Sequence, residues 1–247
     1  MSHYYEKFFN AYADIEILKK FFQRSIKVKS FDALDNALKP GKGVLFVTGH
    51  YGGVEYIPIF LGMHCYPVSV VAKFATKHLK ESTYLKTKDL GIKLIDAAEE
   101  GKVLPLIIRE LKENRIVFIE CDEIEEWKPS PHERIYFLRK LIGVDKTINL
   151  IQRRTDAEVV FGLLHRCSMR DYKLIMKTYY EMSGVQGKSV CSIGETILKS
   201  FEQFVYSYPE EWYQWKNYAD IKTLSEPGIN AEKSRPPSLL KPAFGDI

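Results

Sequence analysis

Apolar positions recur along the chain in two rhythms that alternate. Over residues 1–28, Tyr5, Phe8, Phe9, Tyr12, Ile15, Leu18 and Phe22 fall largely at three- and four-residue steps, the spacing of one helix face. Residues 32–38 read as a short helix capped by Ser30 or Asp32 and ended by Pro40-Gly41. The run from Gly43 to Gly49 is apolar and β-branched, the signature of a buried strand. A helix over 53–61 follows, limited or bent by Pro58. Strands are then expected at 67–72, 92–95 and 115–121, separated by a lysine-rich helix over 78–88 that Gly91 stops and by a helix over 103–112. Residues 128–134 carry two prolines and read as loop, with a strand at 135–138. A helix over 148–155, strands at 158–164 and 172–179, and a helix over 192–206 complete the pattern.

Strands alternating with helices predict an α/β fold, a mostly parallel mixed sheet flanked by helices. Three regions are expected. Residues 1–28 form an amphipathic helical segment, either packed on the domain or lying on a membrane surface. Residues 29–222 form the main domain. Residues 223–247 hold four of the eleven prolines and read as an extended or disordered tail.

Composition narrows the function. With 247 residues and 45% hydrophobic content the chain is long enough and apolar enough for one sizeable core. The net charge of +4 suits acidic partners such as phosphorylated lipids, an acidic carrier protein or a membrane surface. It is too small to argue for nucleic acid, and no nucleic-acid motif is present. Cys65, Cys121, Cys167 and Cys191 form no C-x-x-C pair, so neither a zinc ribbon nor a disulfide scaffold is indicated. The opening residues lack the apolar core of a signal peptide. The longest apolar region, 54–72, is broken by Glu55, Pro58, His64 and Pro67, so no membrane-spanning helix is expected.

The candidate chemistry lies at residues 49–55, Gly-His-Tyr-Gly-Gly-Val-Glu. A histidine just past a strand end sits where open α/β sheets place their ligands. Gly52 and Gly53 permit a tight turn and leave room for substrate near the backbone. Glu55, in the first turn of the following helix, is expected to fold back onto one ring nitrogen of His50, fixing its tautomer and leaving the other nitrogen as a base. A structural histidine is the plain alternative. Backbone N–H groups near Gly52 and Gly53 are candidates for stabilising an oxyanion.

This box resembles the H-x-x-x-x-D/E motif of the lysophospholipid acyltransferase superfamily, and most closely the bacterial lipid A biosynthesis (late) acyltransferase branch. That branch usually reads His-aromatic-Gly-Asn-Trp-Glu, and Gly53 and Val54 replace its Asn and Trp. The resemblance runs from about Phe31 to Tyr218. Lys73 ends a predicted strand where the family often has a basic residue near the acceptor head group. Asp122 matches the Asp of the family's Asp-Gln pair, and Glu123 replaces the Gln. An acidic loop, or a divalent metal held by the carboxylates of 122–126, is the alternative there. Arg139 and Lys140 interrupt a block that resembles the family's Phe-Phe-Gly. Pro209-Glu210-Glu211-Trp212-Tyr213-Gln214-Trp215 resembles its terminal Pro-Glu-Gln-Trp-x-Trp, and no catalytic role is assigned to it.

The resemblance implies a glycerolipid-acyltransferase-like fold and an O-acyltransferase. Its donor is an acyl carrier protein or coenzyme A thioester, a co-substrate in place of a cofactor or metal. Its acceptor is a hydroxyl of a lipid A precursor or a lysophospholipid. His50 is the expected general base, supported by Glu55, with Gly52, Gly53, Lys73, Asp122, Glu123 and Arg139 as substrate contacts. The expected location is cytoplasmic, peripheral to the inner face of a bacterial cell membrane. A thioester or ester hydrolase and a non-catalytic lipid-binding protein of the same fold remain alternatives. The absence of a G-x-S-x-G elbow argues against an α/β-hydrolase.

Overall fold

Strand β2 (Val44–Thr48) is buried along its whole length and sits at the middle of the fold. Its side chains alternate between two cores, as the two-residue period of a strand requires. Val44 and Phe46 join one core and Leu45 and Val47 the other. The computed structural model describes residues 2–74, 76–98, 103–123, 127–184 and 192–224. Within them the strands are β1 (Ile26–Val28), β2, β3 (Val68–Ala72), β4 (Lys93–Asp96), β5 (Ile116–Glu120), β6 (Pro129–Phe137), β7 (Lys140–Asp145), β8 (Glu158–Arg166) and β9 (Tyr172–Thr178). Seven of them form one sheet in the order β1-β9-β8-β2-β5-β3-β4. Its pairs are parallel except β8 with β9.

Helices cover both faces. One face carries α2 (Ile15–Ser25), α3 (Asp32–Leu38) and α4 (Ile57–Met63), which bury Leu18, Phe22, Leu34 and Leu61 against Phe46, Ile116 and Val160. The other carries α6 (Val103–Lys112), α7 (Lys146–Thr155) and α9 (Ile193–Ser207), which bury Leu111, Ile151 and Phe201 against Leu45, Val117 and Val159. The mostly parallel α/β sheet flanked by helices matches the expectation. A parallel sheet buried on both faces explains why β2 and β5 read as unbroken apolar runs.

Two local expectations fail and a third is narrowed, each for a physical reason. Residues 1–28 are not one helix. They break at Ala13-Asp14 into α1 (Ser2–Tyr12) and α2, and end in β1, an edge strand paired with β9. Residues 128–134 are not loop, because the antiparallel β6–β7 hairpin takes in both prolines where the ribbon's register is irregular. Proline is tolerated there, since a two-stranded ribbon has one open edge on each strand. Leu138 and Arg139 turn this hairpin with φ of 48° and 67°, so of the two basic residues that interrupt the sequence block Arg139 lies in a turn and Lys140 opens β7. Pro58 limits its helix, as expected, and does not bend it. It occupies the first turn of α4, where a missing N–H is harmless. The helices α5 (Lys77–Lys88) and α8 (Tyr179–Ser183) complete the described elements apart from short 3-10 turns, one of them at Val54–Tyr56. The expected tail lies almost wholly beyond the described residues, which stop at Leu224.

Candidate active site

The site is set by register. Thr48, the last residue of β2, lies opposite Glu120, the last residue of β5. Two residues further on, His50 and Asp122 therefore stand side by side, and the pairing persists that far because the Cys121 N–H donates to the Thr48 carbonyl at 2.7 Å. Parallel strands thus bring a histidine and an acid separated by 72 residues into contact at their carboxyl ends.

Asp122 is fully buried and holds the His50 turn. The His50 backbone N–H donates to both carboxylate oxygens at 3.0 Å. The ring Nδ1 lies 3.0 Å from Oδ1, and Trp212 donates its indole N–H to Oδ2 at 2.8 Å. An ionised carboxylate only accepts, so Nδ1 is the protonated nitrogen toward Asp122. It cannot also accept from Gln214, whose amide nitrogen is 3.2 Å away. Gln214 is therefore a neighbour of the ring and not its hydrogen-bond partner. Trp212 is held by ring contacts with Phe137 and Phe201, so aromatic packing fixes the donor that steadies Asp122.

The other ring nitrogen faces two more carboxylates. Nε2 lies 3.3 Å from Glu120 Oε2 and 3.5 Å from Glu123 Oε1. Burial of the ring disfavours its charged form, but the charge and hydrogen bond of Asp122, then Glu120 and Glu123, outweigh it and push the imidazole up to about 10. Burial pushes the Glu120 carboxyl up as well. His50 opposes this, while Asp122, Glu55 and Glu123 reinforce it. One cation thus faces three acids. The ligand atoms of His50, Glu120 and Glu123 all fall within 4.8 Å of one another, close enough for a divalent ion to replace the ring proton.

Cys121 lies between the two acids and is buried. Burial, with Asp122 and Glu120, pushes its thiol well up, so it remains a protonated, inert packing group.

The glycine turn is tied down on all sides. Gly52 adopts φ +56°, and a Cβ there would lie 2.1 Å from the Leu164 carbonyl oxygen, so only glycine fits. Its N–H donates to the Glu211 carbonyl, and the Gly53 N–H donates to the Leu164 carbonyl. Both amides are already used. In this conformation neither is free for an oxyanion, and both hold the turn.

The remaining expected site residues separate. Glu55 is not a partner of His50 among the described residues; its carboxylate pairs with Lys7 of α1 at 3.1 Å. The short 3-10 turn that carries it directs the side chain toward α1, and Asp122 takes the place on Nδ1 expected for Glu55. Glu123 does reach the ring. Lys73 follows β3 and is exposed. Arg139 turns the β6–β7 hairpin, where its charge acts on Tyr206 of α9. Lys140 donates to the Tyr218 carbonyl at 2.5 Å and lies over the Tyr218 ring, so it packs the hairpin against the final segment.

Sequence reasoning gave no role to Glu120 or Trp212. Glu120 had a readable signal, a glutamate closing an otherwise apolar strand. Trp212 falls in the terminal motif, but its contact with Asp122 is not readable there, since it depends on how the final segment returns to the sheet. That return is visible in the Tyr51–Trp212 bridge.

The sequence profile of the bacterial lipid A biosynthesis acyltransferase family matches residues 8–217. No curated protein matches the chain.

Proposed function

The chain belongs to the bacterial lipid A biosynthesis acyltransferase family, and on that premise we propose that it moves a fatty acyl group from a thioester to a hydroxyl of a lipid-like acceptor. The donor is an acyl carrier protein or coenzyme A thioester, and the acceptor is of the lipid A precursor or lysophospholipid type. One observation carries the reading: an imidazole at a strand's carboxyl end, clamped at Nδ1 by a buried Asp122, with Nε2 directed at the open side of the site. A general base needs that arrangement.

In the proposed step the acceptor hydroxyl takes the place of Glu120 and Glu123 before Nε2. Moving these carboxylates away withdraws the charges that keep the ring protonated, so the imidazole passes its Nε2 proton to the departing Glu120 carboxylate as the acceptor arrives. Nε2 then removes the hydroxyl proton while the oxygen forms its bond to the acyl carbon. The carbon–sulfur bond breaks, and the proton passes to the departing thiolate. Asp122 stabilises the imidazolium throughout. No covalent acyl-enzyme is required, in keeping with the inert Cys121.

The membrane is the proposed meeting place. Tyr4, Tyr5, Phe8 and Tyr12 of α1 are each more than half exposed, with Phe8 and Tyr12 stacked. Such an aromatic face suits a lipid interface. Among the described residues no helix is long and apolar enough to cross a membrane. Anionic vesicles should bind the protein better than neutral ones, and salt should weaken that binding.

The deciding experiment follows thiol release from acyl-thioesters with and without lipid acceptor, with mass spectrometry of the product. Release that needs acceptor and yields acylated lipid supports the transferase. Equal release into water makes the protein a hydrolase. No release with any donor leaves a binding protein.

A further inference from the structure

Helix α1 reaches the catalytic turn through a buried acid. Glu6 is 5% exposed, although a carboxylate is rarely buried unless paired. It accepts from Arg166 Nε at 3.1 Å, and from Nη2 at 2.8 and 2.9 Å on its two oxygens. The Tyr172 hydroxyl donates to it at 2.6 Å. Arg166, the last residue of β8, also donates to the Tyr213 hydroxyl at 3.1 Å. That hydroxyl donates to the Gly52 carbonyl, and the Tyr213 backbone N–H donates to the His50 carbonyl at 2.9 Å. Contacts therefore run without a gap from α1 to both carbonyls that bracket the glycine turn.

We propose that Glu6 is a positioning residue for the transfer reaction: through Arg166 and Tyr213 it holds the backbone of residues 50–52, and so the imidazole, in place. This rests on the acyl-transfer reading of the site. Other elements hold the rest of the turn. The His50 N–H is taken by Asp122, the Gly52 N–H by Glu211 and the Gly53 N–H by Leu164. Tyr51 is anchored by its hydroxyl on the Phe204 carbonyl, and the His50 and Gly52 carbonyls both end on Tyr213. Removing the Glu6 charge frees Arg166 to choose another partner and leaves Tyr213 unsteadied. Reaction rates are sensitive to such shifts, since about an ångström of misplacement costs on the order of a hundredfold.

The test uses the full chain with Glu6→Gln, Tyr213→Phe and the double variant. Thiol release gives kcat and the donor KM, and hydrogen exchange reads the amides of Gly52 and Gly53. Each single variant should lower kcat by about tenfold or more while the donor KM stays within about twofold. The double variant should fall no further than the worse single one, because both cut the same chain of contacts. Exchange at Gly52 and Gly53 should quicken in both. A lower melting temperature with kcat and exchange unchanged would make Glu6 a structural acid only and overturn the proposal. Additive losses would also overturn it. If Glu6→Gln fails to fold, Tyr213→Phe alone decides, since it removes one hydroxyl and no buried charge. If the wild-type protein turns over no thioester, the acyl-transfer reading fails by itself. The exchange result then decides whether Glu6 holds the turn.

Discussion

At the amino-terminal end of the sheet, Glu110 is 1% exposed and surrounded by donors. Lys93 lies at 3.0 Å, Arg109 at 3.0 Å and Arg115 at 3.3 Å, and the Ser69 hydroxyl donates at 3.1 Å. Burial raises its carboxyl, but the bonds to Lys93, Arg109 and Ser69 outweigh it and hold the group below its usual value. At the carboxyl-terminal end the balance is reversed, with one imidazole facing Asp122, Glu120 and Glu123. The first cluster sets three cations and a hydroxyl against two acids, Glu110 and the more exposed Glu113, and it locks α6 to β3, β4 and the start of β5. The second has more acids than its one cation can satisfy, and the surplus sits on the open side. A fold built for stability alone gains nothing from that surplus, which leaves Glu120 pushed up toward protonation. The contrast separates a structural charge cluster from one poised to exchange a proton.

The largest expected effect tests that separation directly. His50→Ala should lower transfer by at least about a hundredfold, the scale of a lost general base, while the far-ultraviolet circular dichroism stays native. Wild-type transfer in folded His50→Ala protein would end the mechanism. The pH dependence of stability adds a second readout. The folded pKa of His50, about 10, lies above the unfolded value near 6.5. Its contribution is therefore complete below about pH 6.5 and disappears as pH rises through about 10. The difference in melting temperature between wild type and His50→Ala should shrink over that window.

Glu110→Gln comes next. It removes the carboxylate beside Arg115, whose side chain is 13% exposed, and should cost about 3 kcal/mol, at the low end for a buried pair because Arg115 keeps its bonds to Ser69 and the Val68 and Gly91 carbonyls while Lys93 and Arg109 can turn to water. Activity per folded molecule should not change. The folded pKa of Glu110 is lowered, so its contribution exists above the unfolded value and is lost as pH falls through the folded one. The two ends should thus lose stability in opposite directions of pH. If urea titration finds Glu110→Gln as stable as wild type near neutral pH, the structural reading of this cluster fails.

Much of this comparison was readable before the fold was seen. The strand–helix alternation points to the sheet, and the His50 box points to one half of the acid-rich carboxyl-terminal end. The acid on Nδ1 was harder. Glu55 is close in sequence, and a helical start was expected to return it to the ring, yet a 3-10 turn aims it at Lys7. Asp122 matches a family position and reads from sequence as a substrate contact, because sequence does not state which strands are neighbours. Only the β2–β5 pairing puts it beside His50. The hairpin at 129–145 was missed for a similar reason. Its prolines and charges mask a ribbon whose Ile135, Phe137, Ile142 and Val144 pack into the core.

A smaller effect should come from the surplus itself. Glu120→Gln removes one of the charges that raise His50, so the imidazole should titrate lower. The alkaline rise in kcat/KM should then move to lower pH, by about one unit if the change in interaction is about 1.4 kcal/mol. Glu123, half exposed, should move it less. A profile unmoved by either substitution would mean that these carboxylates do not act on the ring in solution, and the contrast between the two ends would lose its basis.

The smallest effect belongs to the carboxylate that the sequence favoured. Glu55 and Lys7 form a single pair, with 27% and 51% of their side chains exposed. An exposed pair of this kind contributes about 0–1 kcal/mol, so Lys7→Met should shift the urea midpoint very little. Glu55→Gln should leave the His50 tautomer intact, since Asp122 remains on Nδ1. Asp122→Asn is the informative counterpart. An amide in that position keeps the size and removes the charge, and its NH2 can turn toward Nδ1 and favour the wrong tautomer. Transfer should therefore fall far more in Asp122→Asn than in Glu55→Gln, with both proteins folded. Equal losses would mean that Glu55 reaches the ring once substrate has displaced Glu120. A greater loss in Glu55→Gln would return the orienting role to the helix start and leave Asp122 as the anchor of the His50 backbone N–H.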